Sequence, residues 1–60
     1  PIDYLTRYRL EKGAEKLDNP DLSITEIAFS VGFASASYFS ECFKRRLGLT
    51  PSDYRRRRLR

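Results

Sequence analysis

SITEIAFSVGFASASYFSECFKRRL, Ser23 to Leu47, carries two helix starts and one sharp turn within twenty-five residues. Ser23-Ile24-Thr25-Glu26 fits a capping box, a serine N-cap with glutamate three positions on. Ile24, Ile27, Ala28 and Val31 follow at helical spacing and are expected to form the buried side of a short helix. Gly32 then provides a residue that takes positive φ and turns the chain, and Phe33 follows as a core anchor. Ser35 is a good N-cap for the next helix, which Gly48 ends. On a helical wheel Phe39, Phe43 and Leu47 point inward, flanked by Ala36 and Cys42. Ser37, Glu41, Lys44 and Arg45 point outward, with Tyr38 to one side.

On either side of this stretch lies another helical segment. Upstream, the pattern predicts a helix over about residues 2–18, with Pro1 in its first turn and Asn19-Pro20 as its stop. Downstream, Thr50-Pro51-Ser52-Asp53 combines a threonine cap, a proline at the first helical position and an acid in the first turn. The fourth helix should cover about 51–57, with Tyr54 packing back on the core. The expected boundaries of the other two are 24–31 and 36–47. The fold class is therefore all-α, a homeodomain-like helix-turn-helix of four helices. A braced second helix of this kind presents its outer face to a DNA major groove.

The first helix has two apolar sides. Leu10, Ala14 and Leu17 share one stripe, with Gly13 at its edge, whereas Tyr4, Leu5 and Tyr8 lie nearly opposite in the N-terminal half. Such a helix either folds its aromatics back over its own domain or bridges two bodies; the second reading is preferred, with the other body before Pro1. Gly13 costs ~1 kcal/mol against alanine in a helix interior and is either a tolerated defect or, the preferred reading, a site of close packing.

The 60 residues carry a net charge of +4, unevenly placed. Residues 1–43 hold four basic and seven acidic side chains, and residues 44–60 hold eight basic and one acidic. A polyanion thus meets one positive end of a mildly acidic body. Histidine is absent and Cys42 is the only cysteine, so a disulfide within the chain and a Cys/His zinc cluster are excluded. Cys42 reads as a small core or boundary side chain. Without a histidine, a cysteine pair or convergent carboxylates, no enzymatic site is expected, and neither is a cofactor. With no membrane-spanning run and no signal peptide, the expected setting is reduced and cytoplasmic.

Pattern alone also fits a protein-interaction or scaffold bundle with only weak non-specific DNA contact. An RNA-binding domain fits less well, because the aromatics fall at core spacing rather than on a stacking surface. A more specific signal comes from Arg9-Leu10, Ala14 and Leu17, then LSITEIAFSVGF at Leu22 to Phe33. It continues with YFS-x-x-FKR at Tyr38 to Arg45, Gly48, Thr50-Pro51 and Tyr54. In these residues the chain resembles the C-terminal signature of the AraC/XylS family of bacterial transcription regulators. That resemblance implies two helix-turn-helix units joined by a long helix. Residues 1–18 would be the connecting helix, residues 19–60 the second unit with its basic end, and the first unit would cover Tyr4, Leu5 and Tyr8.

The resemblance further implies promoter or operator DNA as partner, with RNA polymerase as a possible second. It assigns Ser35, Ala36, Ser37, Tyr38 and Glu41 to the groove. Lys44, Arg45 and Arg46 are expected on phosphates; the free N–H groups around Ser23 and Thr25 at the start of the preceding helix either hold a further phosphate or form an ordinary solvated cap. Arg46 falls nearer the buried side, where its stem is able to pack over the domain surface. Two positions depart from many relatives. Glu41 stands where a basic residue is common; it is able to accept from cytosine N4, or to pair with Lys44 or Arg45 for ~0.3–0.5 kcal/mol. Ala36 stands where a longer polar side chain would read bases. Together they point to a unit that grips the backbone more than it reads sequence. Of the terminal cluster, Arg57, Arg58 and Arg60 are expected outside the footprint.

Overall fold

Each of the four helices begins where a side-chain oxygen takes the free N–H three residues on. In the computed structural model, which describes residues 3–58, Asp3 accepts from the Thr6 N–H at 2.7 Å and Ser23 from Glu26 at 3.0 Å. Ser35 accepts from Tyr38 at 3.1 Å and Thr50 from Asp53 at 3.2 Å. These caps start α1 (Tyr4–Lys16), α2 (Ile24–Ser30), α3 (Ala36–Leu47) and α4 (Pro51–Arg58). The capping box at α2 is complete, because the Glu26 carboxylate also accepts from the Ser23 N–H at 2.8 Å. Asp3 was not anticipated as a cap. Its carboxyl is held below the usual carboxylate range, chiefly by the Thr6 N–H.

The helix ends differ from expectation by a residue or two. The expected start of α1 at Ile2 lies outside the described residues, as do Pro1 and Arg60. At its other end α1 stops at Lys16 rather than Asp18, because the Asp18 and Asn19 N–H groups close on carbonyls three residues back. Helix α2 stops at Ser30, one residue early, where Val31 leaves helical geometry. A Schellman turn follows: Phe33 N–H donates to Ala28 O at 2.9 Å and Gly32 N–H to Phe29 O at 3.1 Å, with Gly32 at φ 102°. Gly48 closes α3 at φ 86°.

Leu10, Leu17, Ile27, Ala28, Phe33, Phe39, Cys42 and Phe43 form the core. Ile24 and Val31, read as buried, sit at its rim with Ala14, Leu22, Ala36 and Tyr54. Four rings run through the middle: Phe33 lies 5.1 Å from Phe39, Phe39 5.6 Å from Phe43, and Phe43 5.4 Å from Tyr54. The last two contacts are edge-to-face, an arrangement aromatic quadrupoles favour. Gly13 is buried against this row, which bears out the close-packing reading.

Leu47 corrects one expectation. It was placed inward by the wheel but is 39% exposed, because it ends α3 beyond the reach of the core cluster. Tyr4, Leu5 and Tyr8 are exposed at 74%, 51% and 48%, a second apolar side on α1 that nothing in the described chain covers. No helix among the described residues is long and apolar enough to cross a membrane.

Candidate nucleic-acid interface

The geometry of α3 follows from which of its sides the ring row occupies. Phe39, Cys42 and Phe43 are buried, so at 100° per residue the opposite side, Ser37, Glu41, Lys44 and Arg45, must face out. All four are exposed. The capped start of α3 follows the Gly32 turn after three residues, which sets the angle between α2 and α3 with little slack. Ser40, Glu41, Lys44, Arg45 and Thr50 line a shallow depression along this outer side.

The expected groove residues are not equivalent. Ser37 and Glu41 are freely exposed. Ser35 is half-buried and its hydroxyl is already the acceptor of the α3 cap. Ala36 packs against the core rim rather than projecting. Tyr38 is half-exposed, its ring edge-on to Phe33 at 5.9 Å, and the neighbouring Cys42 thiol is the main cause that raises its phenol above the usual value. Glu41 carries an ion pair with Arg45 at 3.4 Å, between two largely exposed side chains. A pair so solvated is readily exchanged for other partners.

Among the cations, Lys44 makes no ion pair among the described residues and points from the outer side. Arg46 does not: its guanidinium lies 3.6 Å from the Glu11 carboxylate on α1, so it is drawn across the domain surface. At the start of α2, the Ser23 hydroxyl and N–H are both engaged by the capping box, while Thr25 is exposed.

The run of arginines on α4 separates into different roles. Arg56 pairs with Asp53 on its own helix. Arg58 donates to both Asp18 carboxylate oxygens, at 2.6 and 3.1 Å, and lies over the Tyr54 ring. Arg55 donates to the Leu17, Asn19 and Leu22 carbonyls at 3.1, 3.2 and 2.6 Å. Arg57 alone is exposed and without an ion pair among the described residues. From the sequence, Arg57, Arg58 and Arg60 are expected outside the footprint, but Arg55 is given no bond within the domain. The available signal was the α1–α2 connection itself, whose carbonyls leave helical pairing at Asn19-Pro20 and need donors from elsewhere.

A capped short helix, a Schellman turn and a second helix with a polar, partly cationic outer side define a helix-turn-helix domain, all-α and homeodomain-like. The helix-turn-helix domain family matches residues 1–57. An AraC-like transcription regulator of Streptomyces lividans is 46% identical over 56 residues, covering 93% of this chain and 18% of that protein. The HTH-type transcriptional activator RhaS of Escherichia fergusonii is 45% identical over 58 residues, covering 97% of the chain and 21% of the activator. Histidine kinase P4 of Formosa agariphila is 37% identical over 57 residues, covering 95% of the chain and 4% of the kinase. No solved structure matches the chain. The chain belongs to the AraC-type helix-turn-helix family. It spans about a fifth of the length of the two regulators.

Proposed function

We propose that the chain is the second helix-turn-helix unit of a bacterial transcription regulator, and that α3 lies in the major groove of operator DNA. The observation that carries this is the outer side of α3. Small and polar at its start and cationic at its end, it stands directly opposite a fully packed aromatic row. Lys44 and Arg45 contact phosphates, with Arg46 joining when it exchanges Glu11 for a phosphate. Thr25, and Ser23 beside it, approach the backbone from the start of α2. Ser37 and Glu41 reach base edges, flanked by Ser35, Ala36 and Tyr38. With Ser35 engaged in its cap and Ala36 turned to the core, few side chains are left to read sequence, which supports a unit that grips the backbone more than it selects bases.

In this reading α1 is the connecting helix, residues 19–60 are the unit itself, and Tyr4, Leu5 and Tyr8 dock on an upstream helix-turn-helix unit. The exposure of those three side chains supports it. The protein works in the cytoplasm without a cofactor and has no catalytic role, and RNA polymerase is a further partner.

Titration of duplex DNA at rising salt tests the reading. Binding is expected to be weak and to fall steeply with salt. Lys44→Ala should weaken binding to all sequences alike and reduce the slope of log K against log salt by about 0.9, the share of one phosphate. Ser37→Ala and Glu41→Ala should instead change which sequence is preferred. Binding that is absent, or indifferent to salt, refutes the DNA reading.

A further inference from the structure

Arg55 occupies an unusual place for a residue in an arginine run. It is half-buried, and its guanidinium reaches back 33 to 38 residues to three main-chain carbonyls of the α1–α2 connection. Leu17 is the C-cap of α1, whose carbonyl has no helical partner, and Leu22 O belongs to the residue just before the α2 cap. One side chain therefore ties both ends of the connection. Next to it Arg58 ties the same connection through Asp18. The residue preceding Arg55, Tyr54, is packed edge-on against Phe43 of α3. Helix α4 is thus anchored on α3 by one residue and on the approach to α2 by the next.

We infer that Arg55 is a positioning residue for DNA binding: it locks the start of α2 in place relative to α3 and touches no DNA itself. The inference rests on the DNA reading above. With the Leu17, Asn19 and Leu22 carbonyls released, the start of α2 keeps its capping box, its core contacts and the Arg58–Asp18 pair but loses the one side chain that ties both ends of the connection. The side of the domain that meets the backbone then has to be ordered when DNA binds, which lowers affinity. Arginine is required because a planar fork serves several acceptors at once. Lysine keeps the charge but concentrates its donors at one point.

That difference supplies the test. Arg55→Lys, Arg55→Gln, Lys44→Ala and the charge-removal control Arg57→Gln are titrated with a mixed-sequence DNA duplex at several salt concentrations, at a temperature where circular dichroism shows each folded. Both Arg55 variants are expected to weaken binding by about tenfold, roughly what one charge-assisted hydrogen bond is worth. For Arg55→Lys the salt slope should stay at the parent value. Amide exchange over residues 18–23 should rise in both, and Arg57→Gln should stay near the parent in affinity.

Arg55→Lys binding like the parent while Arg55→Gln flattens the slope as Lys44→Ala does would make Arg55 a phosphate contact and overturn the proposal. Folded Arg55 variants with parental affinity overturn it too, leaving only a structural brace. Should neither variant fold, Asp18→Asn loosens the same connection through Arg58, and the expectation is a smaller loss at unchanged slope; parental affinity there refutes it. A parent chain without salt-dependent binding refutes the DNA reading first. A parent that binds, loses slope with Lys44→Ala and ignores Arg55→Lys refutes the positioning role alone.

Discussion

Gly13→Ala sets two opposing effects of known size against each other. Alanine in place of glycine in a helix interior is favourable by ~0.8–1.0 kcal/mol, much of it from the unfolded chain. The new Cβ, however, would lie 2.9 Å from Phe39 Cε1 and 3.0 Å from Cζ, with Ile27 Cγ2 at 3.7 Å. Comfortable carbon contacts fall at about 3.5–4.0 Å, so the ring has to retreat by roughly half an ångström or more. Phe39 has no exposed surface and is held between Phe33 and Phe43, which itself abuts Tyr54. A displacement is therefore passed along the row, and overpacking of this kind costs ~1–3 kcal/mol. The net expectation is destabilisation of about 1 kcal/mol, a fall in Tm of roughly 4–8 °C for a domain of this size. Thermal and urea unfolding followed by circular dichroism measures it. Phe39→Leu removes the obstructing ring edge, so in that background Gly13→Ala should turn stabilising, and the double-mutant cycle isolates the contact. A raised Tm for Gly13→Ala in the parent chain would refute the reasoning, since it would mean the aromatic row yields freely.

Further outcomes follow from the same contacts. Phe43→Ala removes the ring that joins α3 to α4 and should cost ~3–5 kcal/mol, comparable to the whole stability such small domains reach, so the variant should lack a cooperative unfolding transition. Gly48→Ala meets no atom within 4 Å and suffers only from its φ of 86°; a loss of about 1 kcal/mol is expected, smaller for Gly48→Asn, and equal losses would contradict the strain argument. The Asp18 carboxyl is held below the usual carboxylate range, chiefly by its hydrogen bond from Arg58. A depressed carboxyl adds stability above its unfolded pKa and loses it as pH falls through the folded one. The parent should therefore exceed Asp18→Asn in Tm at neutral pH and converge with it in acid, whereas a gap independent of pH would count against the pair.

Much of this protein is written in local signals that act over three or four residues. Caps at Ser23, Ser35 and Thr50, turns at Gly32 and Gly48, and apolar spacing in α2 and α3 each depend on neighbours along the chain, so they are legible without coordinates. The same local logic placed Ser37, Glu41, Lys44 and Arg45 on one outer side of α3, because burial of Phe39 and Phe43 leaves them nowhere else. Asp3 escaped notice because an earlier proline start was assumed.

Tertiary structure alone decided the rest. That Gly13 makes room for Phe39, that Arg46 turns to Glu11, and that Leu47 is left uncovered depend on how helices distant in sequence are set against each other. The arginine run shows the reason most plainly. Arg55, Arg56, Arg57 and Arg58 are chemically identical, and their roles differ only because packing of Tyr54 on Phe43 fixes the rotation of α4. At 100° per residue that rotation aims Arg55 and Arg58 at the α1–α2 connection and sends Arg57 to solvent. Sequence specifies the donors and the helix that carries them; which donor finds a carbonyl more than thirty residues away is set by the fold.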